Sequence, residues 1–122
     1  MTELYDKGKY MDLTITIPAN SSYKKGLVLG CIANSNKLAP YSSKTDATAK
    51  SPEYILVKRD GIENNTSAAI DVMAKVLVTG EVNAYGLCFA NEDDTMDSPG
   101  FINALKNNGI VAQYIDNYVE EV

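Results

Sequence analysis

A chain of 122 residues, 45% hydrophobic and 22% charged, is the size of one domain and has the composition of a folded protein rather than a disordered one. Its net charge of −5, with Arg59 the single arginine, argues against direct nucleic-acid binding, which needs a surplus of cations to displace counterions. The lack of histidine removes the commonest general base, the histidine-dependent nucleophile systems and the commonest zinc ligand.

No run approaches about 18 apolar residues, and the opening MTELYDKGKYMD has no apolar centre, so neither a membrane span nor a signal peptide is expected. Residues 1–12 are polar, carry Gly8 and show no period; they read as a flexible arm ahead of a single β-rich domain over 13–122. Leu13, Thr14, Ile15, Thr16 and Ile17 alternate, giving a strand with one apolar face that Pro18 ends for want of an N–H. ANSSYKKG follows as a turn-rich link in which Gly26 permits the turn. LVLGCIA is the next strand, where Gly30 marks a bend or close backbone approach.

Asn34–Asn36 form a hairpin-like turn before Leu38 and Tyr41, and residues 42–52, without a large apolar centre, read as an exposed loop. EYILVKR is a strand closed by an Asp60–Gly61 turn; IENNTSAA is another loop, with Ser67–Ala69 offering one helical turn. The longest strand-like tract starts at Ile70 and sets Ile70, Val72, Ala74, Val76 and Val78 on one face; Gly80 interrupts it where a bulge or tight bend is expected.

One helix is predicted near 98–108. Ser98 is its N-cap, Pro99 sits in its first turn, Phe101 or Ile102 with Leu105 form its apolar stripe, and Asn108–Gly109 is its left-handed stop. IVAQYIDNYVEEV then reads as a final strand with an acidic tail. Short strands and one small helix make the chain mainly β.

The chemistry-bearing residues offer little. Cys31 and Cys88 are not spaced as a metal-binding pair and are expected as buried free thiols. Glu92, Asp93, Asp94 and Asp97 lack the ligand spacing of a calcium loop, and solvent with the following helix dipole satisfies them. Lys24 and Lys25 precede Gly26 and lead into a strand, whereas a phosphate loop places its lysine after the glycines and before a helix. No metal, cofactor or enzymatic activity is therefore expected. The eight tyrosines fit half-buried β surfaces, or alternatively a protein interface.

In chain order, KKGLVLG, NKLAPYSS, TDATAKSPEYILVKRDGI, MAKVLVTGEVNAYGL and LKNNGIV resemble the lambda-type head decoration proteins of tailed bacteriophages, over roughly residues 24–112. Tyr54 stands where that family often has glycine, and residues 113–122 run past the usual end. The resemblance implies a compact β-clip-like or β-sandwich domain that assembles as a homotrimer. It implies a place on the outer surface of an expanded capsid, in the virion after assembly in host cytoplasm, where the N-terminal arm extends a sheet of the major capsid protein. The alternating Leu13–Ile17 strand is the candidate for that addition, since a strand edge joins another sheet through backbone bonds alone. The alternative readings are a small-ligand-binding or hydrolytic domain on a similar scaffold, or an adhesin or shell subunit unrelated to phage.

Overall fold

A computed structural model describes residues 6–44, 48–91, 94, 95, 98 and 100–114. Expectations placed on residues 1–5 of the arm, on Glu92, Asp93, Asp97 and Pro99, and on the tail from 115 onward lie outside the described residues. The elements are β1 (Asp6–Ile17), β2 (Ser21–Tyr23), β3 (Val28–Cys31), β4 (Leu38–Pro40), β5 (Tyr54–Leu56), β6 (Ile62–Asn64), β7 (Ile70–Asn83), a 3-10 turn (Ala84–Gly86), α1 (Phe101–Asn107) and β8 (Ile110–Gln113). The protein is mainly β with one short helix, as its sequence predicts.

The central strands are short and continuously apolar because both of their faces are covered. Val28, Ile55 and Leu77 stand opposite one another across β3, β5 and β7. Together they pack under Phe101 and Leu105 of α1, with Tyr41, Val82 and Ile110 completing the cluster. Their neighbours Leu29, Leu56 and Val76 belong to a second cluster with Ile15, Ile17, Leu27, Leu38 and Ala74. Every one of Ile15, Ile17, Val28, Leu29, Ile55, Leu56, Val76 and Leu77 is 0% exposed.

Strand pairing closes on itself. β1 pairs with β4, β4 with β3, β3 with β5, β5 with β7, and β7 returns to β1. The second cluster is lined by residues from each strand of this five-membered ring, and β8 extends the sheet beyond it by pairing in parallel with the last residues of β7. Ring closure removes most sheet edges.

The two segments read as loops, Ser21–Tyr23 and Ile62–Asn64, instead pair with each other as a separate two-stranded sheet. Three residues per strand are too few to show a period. Asn64, 1% exposed, fixes this lobe to the ring. Its amide donates to the carbonyls of Ile17 (3.1 Å), Pro18 (3.0 Å) and Ala68 (2.8 Å), and its oxygen accepts from the Thr66 N–H and Oγ1. The same bonds hold residues 66–68 as bends, so the helical turn considered at Ser67–Ala69 does not form.

Residues 6–12, expected as part of a flexible arm, are the first half of β1. Each pairs with β7, from Asp6 opposite Val82 to Asp12 opposite Lys75. β7 is 14 residues long, and its C-terminal half would otherwise have an empty edge. Tyr10 packs against the α1-side cluster, its hydroxyl donating to Asp6 and its ring lying 4.5 Å under the Lys75 ammonium.

The helix also differs in detail. Gly100 (φ 76°) is its N-cap, with no side-chain cap bond. Ser98 Oγ accepts instead from the Thr95 N–H, and the Ser98 carbonyl from Phe101. The stop is as predicted: Asn108 caps the helix and Gly109 follows at φ 100°.

Candidate functional site

The five residues Leu13–Ile17 do not form a free edge. Leu13, Ile15 and Ile17 oppose Ala74, Val72 and Ile70, and on the other side Ile15 also meets Leu38 of β4. Ile15 and Ile17 are fully buried in the ring and Leu13 is half-buried. On the outer face Thr14 opposes Met73, and Thr16 Oγ1 donates to Asp71 (2.8 Å), which also pairs with Lys37 (2.7 Å). These residues are structural members of the ring, available neither through their backbone on the β7 side nor through their apolar side chains.

The open edge lies just before them. From Asp6 to Asp12, β1 has β7 on one side and, among the described residues, no strand on the other. Lys7, Gly8, Lys9, Met11 and Asp12 are exposed, Met11 to 54%. Alternate residues of a strand present their N–H and C=O groups to opposite edges, so this stretch carries a row of backbone groups directed away from β7. Lys7 and Lys9 discourage indiscriminate pairing, as edge lysines do.

This half lacks a visible period because only Asp6 and Tyr10 are half-buried and the other residues are exposed. The ladder shifts register between Lys9 and Tyr10, where Leu77 and Thr79 are the consecutive partners and Val78 is the extra residue. The extra residue reverses which β7 side chains share a face, so that Leu77 and Val82, five apart, both reach the α1-side cluster. Beyond it Gly8 (φ 154°) lies opposite Gly80 (φ 143°). A Cβ on Gly80 would sit 2.0 Å from the Lys7 carbonyl oxygen, and one on Gly8 2.0 Å from that of Thr79. Gly80 is therefore a point of close strand approach within β7, two residues past the bulge, rather than an end to the strand. Of the other glycines singled out, Gly26 turns the chain at φ 96°, and Gly30 leaves room for the Ser51 carbonyl, 2.2 Å from where its Cβ would be. The signal that could have found the edge is the Gly8–Gly80 pair, each glycine otherwise unexplained in a strand.

Concave chemistry is sparse. Clefts of about 530, 410 and 480 Å³ open to solvent beside Tyr23 and Lys58, beside Tyr23 and Cys88, and beside Cys31 and Glu53. Cys31 and Cys88 are free and half-buried. Burial, then the neighbouring Glu53 carboxylate, pushes the Cys31 thiol up from its ordinary pKa, and burial does the same at Cys88, so both thiolates are scarce at neutral pH. Asp94 is buried, yet its carboxylate receives the Ser43 N–H and Oγ and the Asn91 amide. Burial alone would raise its pKa; the Ser43 and Asn91 bonds outweigh it and hold the group below the usual carboxylate value. It ties two loops together, which accounts for its burial without a metal. No group of three or more acidic or cysteine side chains able to hold a metal ion occurs among the described residues, and no helix there is long and apolar enough to cross a membrane.

The chain matches no protein-family model, no curated protein and no solved structure.

Proposed function

We propose that this chain is a capsid decoration protein: a homotrimer that docks on the outer surface of an expanded phage head, joins the major capsid protein by strand addition, and stabilises the shell against internal DNA pressure. The observation that carries the reading is the open edge of β1 from Asp6 to Asp12, built onto a closed, doubly covered ring. The succession of stretches from Lys24 to Val111 that resembles the decoration family gives the partner its identity. Strand addition is assigned to Asp6–Asp12 and not to Leu13–Ile17, because the latter pair with β7 throughout, meet β4 at Ile15 and bury Ile15 and Ile17 in the ring. Main-chain bonds provide the affinity and need no particular side chains, so the clamp survives variation in the partner sequence. The proposed protein is mechanical and carries out no reaction. A domain of this size gains apolar burial by trimerising.

The test is co-sedimentation with expanded, empty heads of tailed phages. The full chain co-sediments; a variant lacking residues 1–9, which keeps every buried residue of β1, folds and sediments as a trimer but stays in the supernatant. Equal decoration by the two proteins overturns the role of the edge, and no decoration of any expanded head by the full chain overturns the function.

A further inference from the structure

Asn108 and Gly109 form the one Asn–Gly step in the chain. An asparagine side chain is open to attack by the main-chain nitrogen of the residue that follows, and glycine, with no side chain, hinders that attack least. Both residues are exposed, where α1 ends and β8 begins.

Three features of the fold hold the attack off. The Asn108 side-chain amide donates to the Ser51 hydroxyl (3.1 Å) and to the Pro52 carbonyl (2.9 Å), which ties the end of α1 to a segment far away in sequence. The Gly109 N–H donates to the Lys106 carbonyl (2.9 Å). Asn108 has ψ 4°, which sets the Gly109 nitrogen beside the Asn108 nitrogen, whereas ring closure needs it on the Cβ side. All three lapse together when the last turn of α1 opens, and helix ends are among the segments that open at the lowest free energy.

We propose that Asn108–Gly109 is a one-way deamidation latch: shut while α1 is closed on Ser51 and Pro52, reactive when that turn opens, and unable to shut again once it has reacted. The Gly109 nitrogen bonds to Cγ of Asn108 as the Cγ–Nδ2 bond breaks, and its proton leaves with the amide group as ammonia. Water then opens the five-membered imide at one or other carbonyl, giving aspartate or β-linked isoaspartate. The step consumes water alone and needs no oxidant, metal or enzyme.

Neither product relocks. A carboxylate at position 108 has no proton for the Pro52 carbonyl, so two acceptors face each other. It also places a negative charge at the helix C-terminus, where the dipole is already negative. Isoaspartate in addition lengthens the main chain by one methylene just before Gly109, which has little room to shift. The Gly109 carbonyl accepts the Gly80 N–H (2.9 Å), and Thr79 Cγ2 would stand 2.8 Å from a Cβ on Gly109. The latch uses only bonds within the chain and is independent of any capsid partner.

The experiment incubates the full chain at mildly alkaline pH, folded and in guanidinium chloride, and follows aspartate and isoaspartate at position 108 by peptide mass spectrometry. The folded chain is expected to react at least about tenfold more slowly, because reaction waits on the fraction of molecules with the turn open. Ser51→Ala, which removes one of the two acceptors, speeds the folded reaction and leaves the denatured rate unchanged. In Asn108→Asp, confirmed folded by its urea midpoint, protection of the backbone amides at 108 and 109 against hydrogen exchange falls at least about tenfold. Equal rates in the folded and denatured chain overturn the proposal, as does a folded rate that Ser51→Ala leaves unchanged. Undiminished protection in Asn108→Asp overturns it equally, since the modified latch would then relock.

Discussion

Replacing Ile15 by alanine and, separately, Met11 by alanine probes where β1 passes from ring wall to open edge. The two residues share one face of the strand, four positions apart and beyond the bulge, yet Ile15 is 0% exposed and Met11 54%. Ile15→Ala removes three carbons from the ring interior, about 2.4 kcal/mol of transfer free energy at about 0.8 kcal/mol per carbon. The residual cavity adds to this, because Leu38 and Val72 are held by their own ladders, for a total of about 3–4 kcal/mol. Met11→Ala stays within about 0.5 kcal/mol, as surface changes do. In urea, at a slope of about 1–3 kcal/mol per molar, Ile15→Ala lowers the midpoint by about 2 M with the slope unchanged, while Met11→Ala leaves it in place. A loss below about 1 kcal/mol for Ile15→Ala, or an equal loss for the two, refutes the assignment of Ile15 to the ring and Met11 to the open half.

Asn64→Ala removes the amide that donates to the Ile17, Pro18 and Ala68 carbonyls (Ala68 keeping the Thr66 hydroxyl) and the oxygen that accepts from Thr66, and is expected to cost about 2–3 kcal/mol by urea denaturation; Asn64→Asp, which cannot donate, does not restore it. Gly80→Ala places a methyl against the Lys7 carbonyl, so hydrogen exchange at Lys7–Lys9 accelerates while the urea midpoint shifts less than in Ile15→Ala. Because the Asp94 pKa is depressed in the fold, its contribution is present above the ordinary carboxylate pKa and is lost as pH falls through the lowered value. The stability of the wild type therefore declines below about pH 4, and Ser43→Ala flattens that decline in thermal melts taken across the acid range.

Much of this fold is legible in the chain wherever a side-chain period coincides with one buried face. The Leu13–Ile17 alternation, the Ile70–Val76 alternation, the Asn34–Asn36 and Asp60–Gly61 turns and the Gly109 helix stop all appear where the sequence puts them. What it conceals depends on partners distant in sequence. The first half of β1 buries no residue fully and sets only Tyr10 against the core, so neither alternation nor apolar content marks it, and only β7 makes it a strand. β2 and β6 exist because they meet each other and Asn64 pins them, a contact spanning some forty residues. Closure of the ring through Ile15 and Leu38 is likewise a pairing that no local pattern contains. The candidate site suffers from the same blindness. Apolar alternation at Leu13–Ile17 suggests a strand seeking cover; that cover is intramolecular, and the available edge is the unpatterned stretch before it.

The central claim, that β1 offers its outer edge to another sheet, is tested most directly by residue-resolved hydrogen exchange on the full chain with and without expanded phage heads. The account predicts that shells slow exchange at the outward-facing amides between Asp6 and Asp12. Amides from Leu13 to Ile17, already in the ring, change little. Protection that appears elsewhere on the trimer while Asp6–Asp12 exchanges as in the free protein contradicts it.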